Sequence, residues 1–253
     1  MKIIVPVQLV PDLVEELVVD ANGKTLDPSY LRWILNEFDD HAIEQAILLK
    51  EKLGGEVTII APDFDGADDA LFTAAAKGAD HLLKITADFE AGVNSHALAR
   101  MFLPMVKQAQ ADLILTGVQA HNSLDGPVGP LLAEMLGVPY VGYVSGVNVE
   151  VGKAIVKKEY PGGLIAEMEV ATPAVLGIQA AENPPRYVAI SKVRQIMKTS
   201  KIDEEAGEID PLGGLSASRM FQPEAATRAE MLEGDVDEVA EKLTKLLDGQ
   251  GLL

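Results

Sequence analysis

Short runs rich in β-branched residues alternate with longer stretches of helical periodicity through the first 144 residues, and this alternation limits the fold more than any other feature of the chain. The predicted strands span residues 2–9, 56–61, 81–85, 112–116 and 140–144, and the predicted helices span 38–53, 67–77, 95–108 and 128–136. Strands joined through helices form right-handed βαβ units, whose parallel sheet is covered by helices on both faces. The sequence therefore predicts an α/β, Rossmann-like three-layer fold with a mostly parallel sheet.

Three segments depart from this alternation. Residues 17–26 contain the hairpin-turn sequence Asp20-Ala21-Asn22-Gly23, and residues 147–170 predict a β-hairpin insertion around Pro161-Gly162-Gly163. From residue 201 onward the chain is acidic, and it ends in an amphipathic helix that Asp235 is expected to cap. We therefore expect an α/β domain over residues 1–200 and an extended C-terminal arm with a terminal helix over 201–253. The pattern leaves open whether this helix packs on its own sheet or on a partner subunit. We adopt packing on a partner subunit as the expectation.

Composition excludes several classes of function. The chain has no cysteine, which excludes disulfides, thiolate chemistry and cysteine-ligated zinc or iron–sulfur clusters. A formal net charge of −18 opposes binding to a phosphate backbone, so nucleic acid is not an expected partner. No apolar run approaches the roughly 20 residues that cross a bilayer, and the first apolar run is too short for an export signal. We expect a cytoplasmic protein without a membrane span.

The most informative segment is residues 112–129, where a buried strand runs into a loop of small and polar residues and then into a helix. This helix begins near Pro127, where free N–H groups and the helix dipole suit a phosphate group. Gly117, Gly126 and Gly129 would let the backbone approach a ligand closely. The alternative is an ordinary turn in which Asp125 caps the helix. The sequence G-x-x-x-x-G-K-[ST] is absent, and no G-x-G-x-x-G follows the first strand.

Catalytic and metal-binding residues are not expected. The four histidines fall in different predicted elements and show no metal-ligand spacing; they are His41, His81, His96 and His121. Only His121 lies in the candidate ligand loop. The polar stretch 36–40 precedes the first long helix, and it either caps that helix or reaches a ligand.

Several segments, taken in order, resemble the electron transfer flavoprotein beta family. They are Ile4-Val5-Pro6-Val7, Val10-Pro11-Asp12, Asn36-x-Phe38, Ala74-Ala75-Ala76-Lys77-Gly78-Ala79-Asp80, Leu115-x-Gly117-x-Gln119-Ala120, Gly162-Gly163, Pro173-Ala174-Val175 and Asn183-x-Pro185-Arg186-Tyr187. Together they span about residues 1–200, and their order is more specific than any single segment.

The resemblance implies an adenine-nucleotide-binding fold and a heterodimer with an alpha subunit. It implies FAD shared with the alpha subunit, and AMP or a second FAD in this subunit. Electrons would enter from an acyl-CoA-type dehydrogenase and leave to a quinone reductase or another acceptor, with the flavin carrying them. The chain would be an electron carrier subunit without catalytic residues of its own. The alternative class is a stand-alone adenine-nucleotide-binding regulatory module of related fold.

The resemblance also carries family positions over to this sequence. The nucleotide contacts correspond to Pro6, Asn36, Phe38, Asp39, Ala61, Val118, Gln119, Ala120, His121, Asn122, Ser123, Asp125, Gly126, Pro127, Val128 and Gly129. The flavin-facing positions correspond to Leu13 and His121. The loop that recognises partner dehydrogenases corresponds to Glu182, Asn183, Pro184, Pro185, Arg186 and Tyr187. We expect an aspartate at Gly129 to block nucleotide retention, because it would add bulk and negative charge beside a phosphate.

The sequence departs from the family pattern at several of these positions. Gln8 and Val118 stand where the family usually has a lysine or arginine, and Leu13 stands where an aromatic residue often faces the flavin. Glu182 replaces an apolar residue in the recognition loop. A missing cation weakens phosphate binding, because a charge-assisted hydrogen bond is stronger than a neutral one. The pair Asp125-Gly126 resembles members with a second FAD, so AMP and FAD both stay open as the ligand of this subunit.

Overall fold

The computed structural model describes residues 1–89, 93–223, 229 and 231–253. The chain divides into two compact units, Met1–Met220 and Phe221–Leu253. The strands of the first unit are β1 (Lys2–Pro6), β2 (Leu9–Pro11), β3 (Trp33–Leu35), β4 (Glu56–Pro62), β5 (His81–Thr86), β6 (Leu113–Gly117), β7 (Tyr140–Glu150), β8 (Lys153–Tyr160), β9 (Leu164–Ala171), β10 (Ala174–Ile178) and β11 (Ile202–Ala206). Its α-helices are α1 (Glu37–Leu53), α2 (Ala67–Lys77), α3 (Ser95–Ala109), α4 (Val128–Leu136) and α5 (Ile190–Ile196), and the second unit contains α6 (Val236–Gly249).

Nine of the strands form one sheet in the order β11-β5-β4-β1-β6-β10-β7-β8-β9. Neighbouring strands from β11 to β7 run parallel, whereas β8 and β9 continue the sheet antiparallel beyond β7. The predicted α/β fold with a mostly parallel sheet is thereby confirmed, and the predicted hairpin insertion is the β8–β9 pair. The predicted hairpin at 17–26 is reduced to a single bridge between Val19 and Leu26.

The predicted strand 2–9 is in fact two strands. β1 ends at Pro6, and β2 pairs antiparallel with β3 in a separate two-stranded sheet. The Val7 amide still donates to the Ile60 carbonyl of β4, and the chain leaves the main sheet at Gln8, whose amide donates to a side chain of α1 and not to a neighbouring strand. A continuous apolar run does not reveal such a change of partner.

Alternate residues of each central strand point to opposite faces of the sheet. On one face, Ile3 and Leu115 belong to a core that includes Ile43 and Ile47 of α1. On the other face, residues such as Ile4 and Ile114 pack in a second core built from α3 and α4, with Phe102 fully buried. Burial of both faces explains why the central strands are apolar without alternation.

The edge strand β11 lies beyond residue 200, where the sequence predicts the arm to start. It pairs in parallel with β5, and residues up to Met220 belong to the first unit. Its acidic sequence lacks the apolar alternation of a strand, but an edge strand needs main-chain hydrogen bonds on one side only. Glu204 of β11 also pairs with Lys84 of β5, at 3.2 Å.

The order of the strands reverses beside β1. The chain moves from β1 to β4 and β5 on one side, and it then returns to place β6 on the other side of β1. In open α/β sheets, ligands bind outside the carboxyl ends of the strands at such a reversal. The fold therefore places a candidate crevice at Pro6 and Gly117, the last residues of β1 and β6. No helix in the described part of the chain is long and apolar enough to span a membrane.

Candidate functional site

Most residues that the resemblance assigns to a nucleotide lie around the carboxyl ends of β1 and β6. Pro6 pairs with Ile60, one residue before Ala61 on the adjacent strand β4, and Phe38 lies beside Gly117. The loop between β6 and α4, residues 118–127, leaves the same edge of the sheet. Its exposed residues are Gln119, His121, Asn122 and Leu124, whereas Val118 and Ala120 are buried.

The first turn of α1 joins the two strand ends. The Asn36 amide N–H donates to the Gln8 carbonyl at 3.0 Å, and its side-chain Nδ2 donates to the Gln119 carbonyl at 2.9 Å. The carboxylate of Asp39 accepts from the Gln8 amide at 2.8 Å and from the Gly117 amide at 2.7 Å. The N-cap of α1 and one residue of its first turn therefore hold main-chain groups of both loops.

The Asp39 carboxyl group is buried, which is unusual for an acidic side chain. Only 1% of the residue is exposed. Burial raises its pKa to about 7, and the hydrogen bonds from the Gln8 and Gly117 amides oppose this rise only in part. Both of its oxygens already accept main-chain N–H groups, so the carboxylate faces the protein interior.

Close packing beneath this crevice depends on two glycines. A Cβ atom on Gly117 would lie 2.6 Å from Asp39 Oδ1, and one on Gly129 would lie 2.7 Å from Thr116 Oγ1. Gly117 therefore allows the start of α1 to approach β6, and Gly129 allows the first turn of α4 to approach the sheet. The Thr116 hydroxyl is buried and has no hydrogen-bond partner among the described residues.

The loop 118–127 folds back over the connection from β1 to β2. His121 Nε2 lies 3.0 Å from the Pro11 carbonyl oxygen, and the Ser123 hydroxyl lies 3.5 Å from Gln8 Oε1. Leu13 follows two residues after Pro11 and is 61% exposed. The two positions that the resemblance assigns to the flavin, Leu13 and His121, therefore lie on adjoining segments at one mouth of the crevice.

Asp125 does not cap α4, contrary to the alternative considered from the sequence. Its carboxylate accepts from the Ser95 amide at 3.1 and 3.2 Å and lies 3.2 Å from His96 Nδ1, at the start of α3. Burial acts to raise its pKa, but the hydrogen bonds from Ser95 and His96 outweigh burial and hold the pKa below its usual value. The helix α4 begins after Pro127 without a side-chain cap, which leaves its first N–H groups available to an anion.

The segment assigned to partner recognition lies along α1, one to two turns beyond the crevice. The Ala181 amide donates to His41 Nδ1 at 3.2 Å, and the Glu182 amide donates to Gln45 Oε1 at 3.1 Å. The Arg186 amide donates to Glu44 Oε2 at 3.0 Å. Main-chain groups of the segment are held in this way, while the side chains of Glu182, Asn183, Pro184 and Tyr187 are exposed.

Sequence reasoning missed the three residues that hold this segment, His41, Glu44 and Gln45. The signal was present, because Glu44 and Gln45 interrupt the apolar face of α1 formed by residues such as Ile43 and Ile47, and both are almost completely buried. A polar side chain on a buried helix face requires a hydrogen-bond partner. That partner lies more than 130 residues away in the sequence.

No cluster of three or more histidine, aspartate or glutamate side chains that could hold a metal occurs among the residues that the structure describes. The groups around the crevice are main-chain N–H groups, small residues and a few polar side chains. Free N–H groups at a helix start suit an anionic ligand.

Comparisons with known proteins point to one family. A model of the electron transfer flavoprotein domain matches residues 24–209. The electron transfer flavoprotein subunit beta of Methylophilus methylotrophus is 30% identical over 261 residues, which cover 98% of each chain. The protein of the same description from Thermoanaerobacterium thermosaccharolyticum is 30% identical over 262 residues and the whole of both chains. The caffeyl-CoA reductase-Etf complex subunit CarD of Acetobacterium woodii is 30% identical over 98% of each chain.

Proposed function

The chain belongs to the electron transfer flavoprotein family as a beta-type subunit, and we propose that it holds an adenine nucleotide between the ends of β1 and β6 within a flavin-carrying heterodimer. The observation that carries the proposal is the pair of loops after β1 and β6, joined by the first turn of α1 at the reversal of strand order. Beta-type subunits of this family transfer electrons and are not themselves catalytic enzymes.

The residues present fit an adenine nucleotide. The uncapped start of α4 offers N–H groups for a phosphate, and nothing lies within 4 Å of the Cβ position of Gly126, two residues before the helix. The loop residues Gln119, His121 and Asn122 offer exposed polar groups at the crevice. No lysine or arginine occurs in residues 118–129, so phosphate binding would depend on main-chain donors.

We propose AMP as the ligand of this crevice, with a second FAD as the alternative. A shared FAD would lie between this chain and an alpha-type subunit, next to Leu13 and His121. The flavin would supply the redox chemistry by accepting and releasing electrons. The chain would contribute packing through the exposed Leu13 side chain and a polar group through His121, whose Nε2 is already oriented by the Pro11 carbonyl.

We propose that an acyl-CoA-type dehydrogenase docks on the exposed side chains of residues 182–187, and that a quinone reductase or another acceptor removes the electrons. Tyr187 is 88% exposed beside the anchored Arg186, which is typical of a residue that packs on a partner. The name of the relative from Acetobacterium woodii places that protein in a complex with a CoA-ester reductase. A cytoplasmic location remains our prediction.

Co-expression tests the proposal. The chain would be produced alone and together with an alpha-type subunit from the same genome, and each preparation would be analysed by gel filtration, visible absorbance and nucleotide extraction. We expect a yellow heterodimer that contains one FAD and one AMP. Two FAD molecules per heterodimer, without AMP, would mean that this subunit binds a second FAD instead of AMP. A heterodimer that never carries flavin would refute the carrier proposal, and a monomer that binds AMP would favour the stand-alone regulatory module.

A further inference from the structure

Asn36, the N-cap of α1, and Asp39, in its first turn, both face inward, although they correspond to family positions that contact nucleotide. Asn36 and Asp39 are 3% and 1% exposed. Four of their hydrogen bonds join main-chain groups of the two crevice loops, at Gln8, Gly117 and Gln119. A ligand that occupies the crevice meets these loops before it can meet either side chain.

We infer that Asp39, assisted by Asn36, is a positioning residue that joins the loops after β1 and β6 into one ligand-binding surface. The nucleotide then contacts the loops and not the Asp39 carboxylate. This inference rests on the proposed nucleotide site, but the junction itself can be measured without a ligand.

The geometry favours the ionised carboxylate for this role. One oxygen accepts from the Gln8 amide and the other from the Gly117 amide, so both are acceptors. Protonation would turn one oxygen into a hydroxyl, which is a weaker acceptor than a carboxylate oxygen, so the hydrogen bond on that side would weaken. The loops after β1 and β6 would then be held less firmly to the same group.

Few other charges act on Asp39. Within its own helix, Asp40 disfavours ionisation, and Asp40 is paired with Lys77 of α2. The ends of β1 and β6 face the carboxylate with main-chain groups of Gln8 and Gly117. The titratable groups of the loop have other partners, since His121 contacts Pro11 and Asp125 contacts the start of α3. Protonation of Asp39 itself is therefore the main event that would weaken the junction.

An NMR titration of the full chain tests the junction directly. The amide resonances of Gln8 and Gly117 should move together with pH, with a common midpoint near 7, because both amides donate to one carboxylate. The Asp39→Asn variant should lack this shared titration. The Asp69→Asn variant, in which an exposed aspartate of α2 is changed, should retain it. Amides that titrate separately, or not at all, would overturn the inference even if Asp39→Asn fails to fold.

AMP binding tests the consequence for the ligand. If AMP binds when Asp39 is ionised, the wild type should bind AMP about tenfold more tightly at pH 8 than at pH 6, as linkage to one group with a midpoint near 7 requires. Asp39→Asn represents the protonated form, so at pH 8 it should bind AMP at least about tenfold more weakly than the wild type does at the same pH. The AMP phosphate itself titrates near pH 6. That contribution is common to both proteins and cancels in their ratio.

The two measurements separate the inference from the proposed function. Equal AMP affinity of the wild type and Asp39→Asn at every pH would overturn the positioning role while leaving the nucleotide site intact. Absence of AMP binding by the wild type at every pH would count against AMP at the proposed site, and the NMR titration would still decide whether Asp39 joins the two loops. Gly117→Ala provides a second route, because its Cβ would displace Asp39 Oδ1 and should weaken AMP binding in the same direction.

Discussion

The guanidinium group of Arg186 lies 2.9 Å from Glu44 Oε1, and the Glu44 side chain is only 3% exposed. The same guanidinium group reaches Glu51 one to two turns further along α1, with Nη1 2.6 Å from Oε1. Arg186 belongs to the segment that the sequence assigns to partner recognition, yet its charge is neutralised within the chain. It therefore anchors that segment, and the exposed neighbours such as Tyr187 are the residues available to a partner.

We expect Arg186→Ala to lower the free energy of unfolding by about 3 kcal/mol, because it leaves the buried Glu44 carboxylate without its cation. Urea denaturation at pH 7 would measure the change. The matched variant is Glu51→Gln, since Glu51 is exposed and pairs with the same arginine. An exposed pair contributes at most about 1 kcal/mol. Similar losses in the two variants would contradict the anchoring role of the Arg186–Glu44 pair.

Asp39 should make stability depend on pH between the acidic range and neutrality. Its folded pKa, about 7, lies above the unfolded value of 3.8, so the folded state binds the proton more tightly. This contribution to stability is fully present below the unfolded pKa and is lost as the pH rises through the folded pKa. The difference in unfolding free energy between the wild type and Asp39→Asn should therefore fall by about 1.4 kcal/mol per pH unit between pH 5 and 6. Urea titrations at pH 5, 6, 7 and 8 would measure it, and a constant difference would argue against the raised pKa.

Gly129→Ala should destabilise the fold by about 1–3 kcal/mol, because the added methyl group would overlap Thr116 Oγ1 and the Tyr140 ring. The same overlap would occur in the Gly129→Asp variant, which is expected from the sequence to lose nucleotide. Loss of nucleotide from such a variant would follow from disturbed helix packing as well as from charge. Gly249→Ala is the control, since nothing lies within 4 Å of its added Cβ. Thermal unfolding would compare the two, and an unchanged midpoint for Gly129→Ala would mean that the first turn of α4 can move away from the sheet.

Leu243→Asp should prevent assembly with an alpha-type subunit. Leu243 of α6 is 47% exposed and lies on the apolar face of that helix with Leu246 and Leu247. A charge on an apolar contact surface opposes association, because it would have to be desolvated. Thr244→Asp adds the same charge at the neighbouring position and should assemble normally. Gel filtration after co-expression decides the matter, and normal assembly of Leu243→Asp would exclude this face of α6 from the subunit interface.

The sequence by itself determined the α/β architecture and the position of the loop at 118–127. Buried parallel strands must be apolar on both faces, and helices between them must show a 3.6-residue period, so both leave a local pattern that can be read directly. The hairpin insertion could also be predicted from local sequence, because Pro161-Gly162-Gly163 marks its turn. The order of family-like segments identified the beta-type subunit, which the comparisons confirmed.

Only the tertiary structure decided what individual polar residues do. Asp39 and Gly117 are separated by 78 residues, and Arg186 and Glu44 by 142, so no local pattern reports that these groups meet. The structure also assigned the acidic segment 202–206 to the sheet edge, where main-chain pairing with β5 outweighs its weak strand pattern. A polar residue in a sequence can equally face solvent, a ligand or a buried partner. The choice depends on which distant group the fold brings within hydrogen-bond distance.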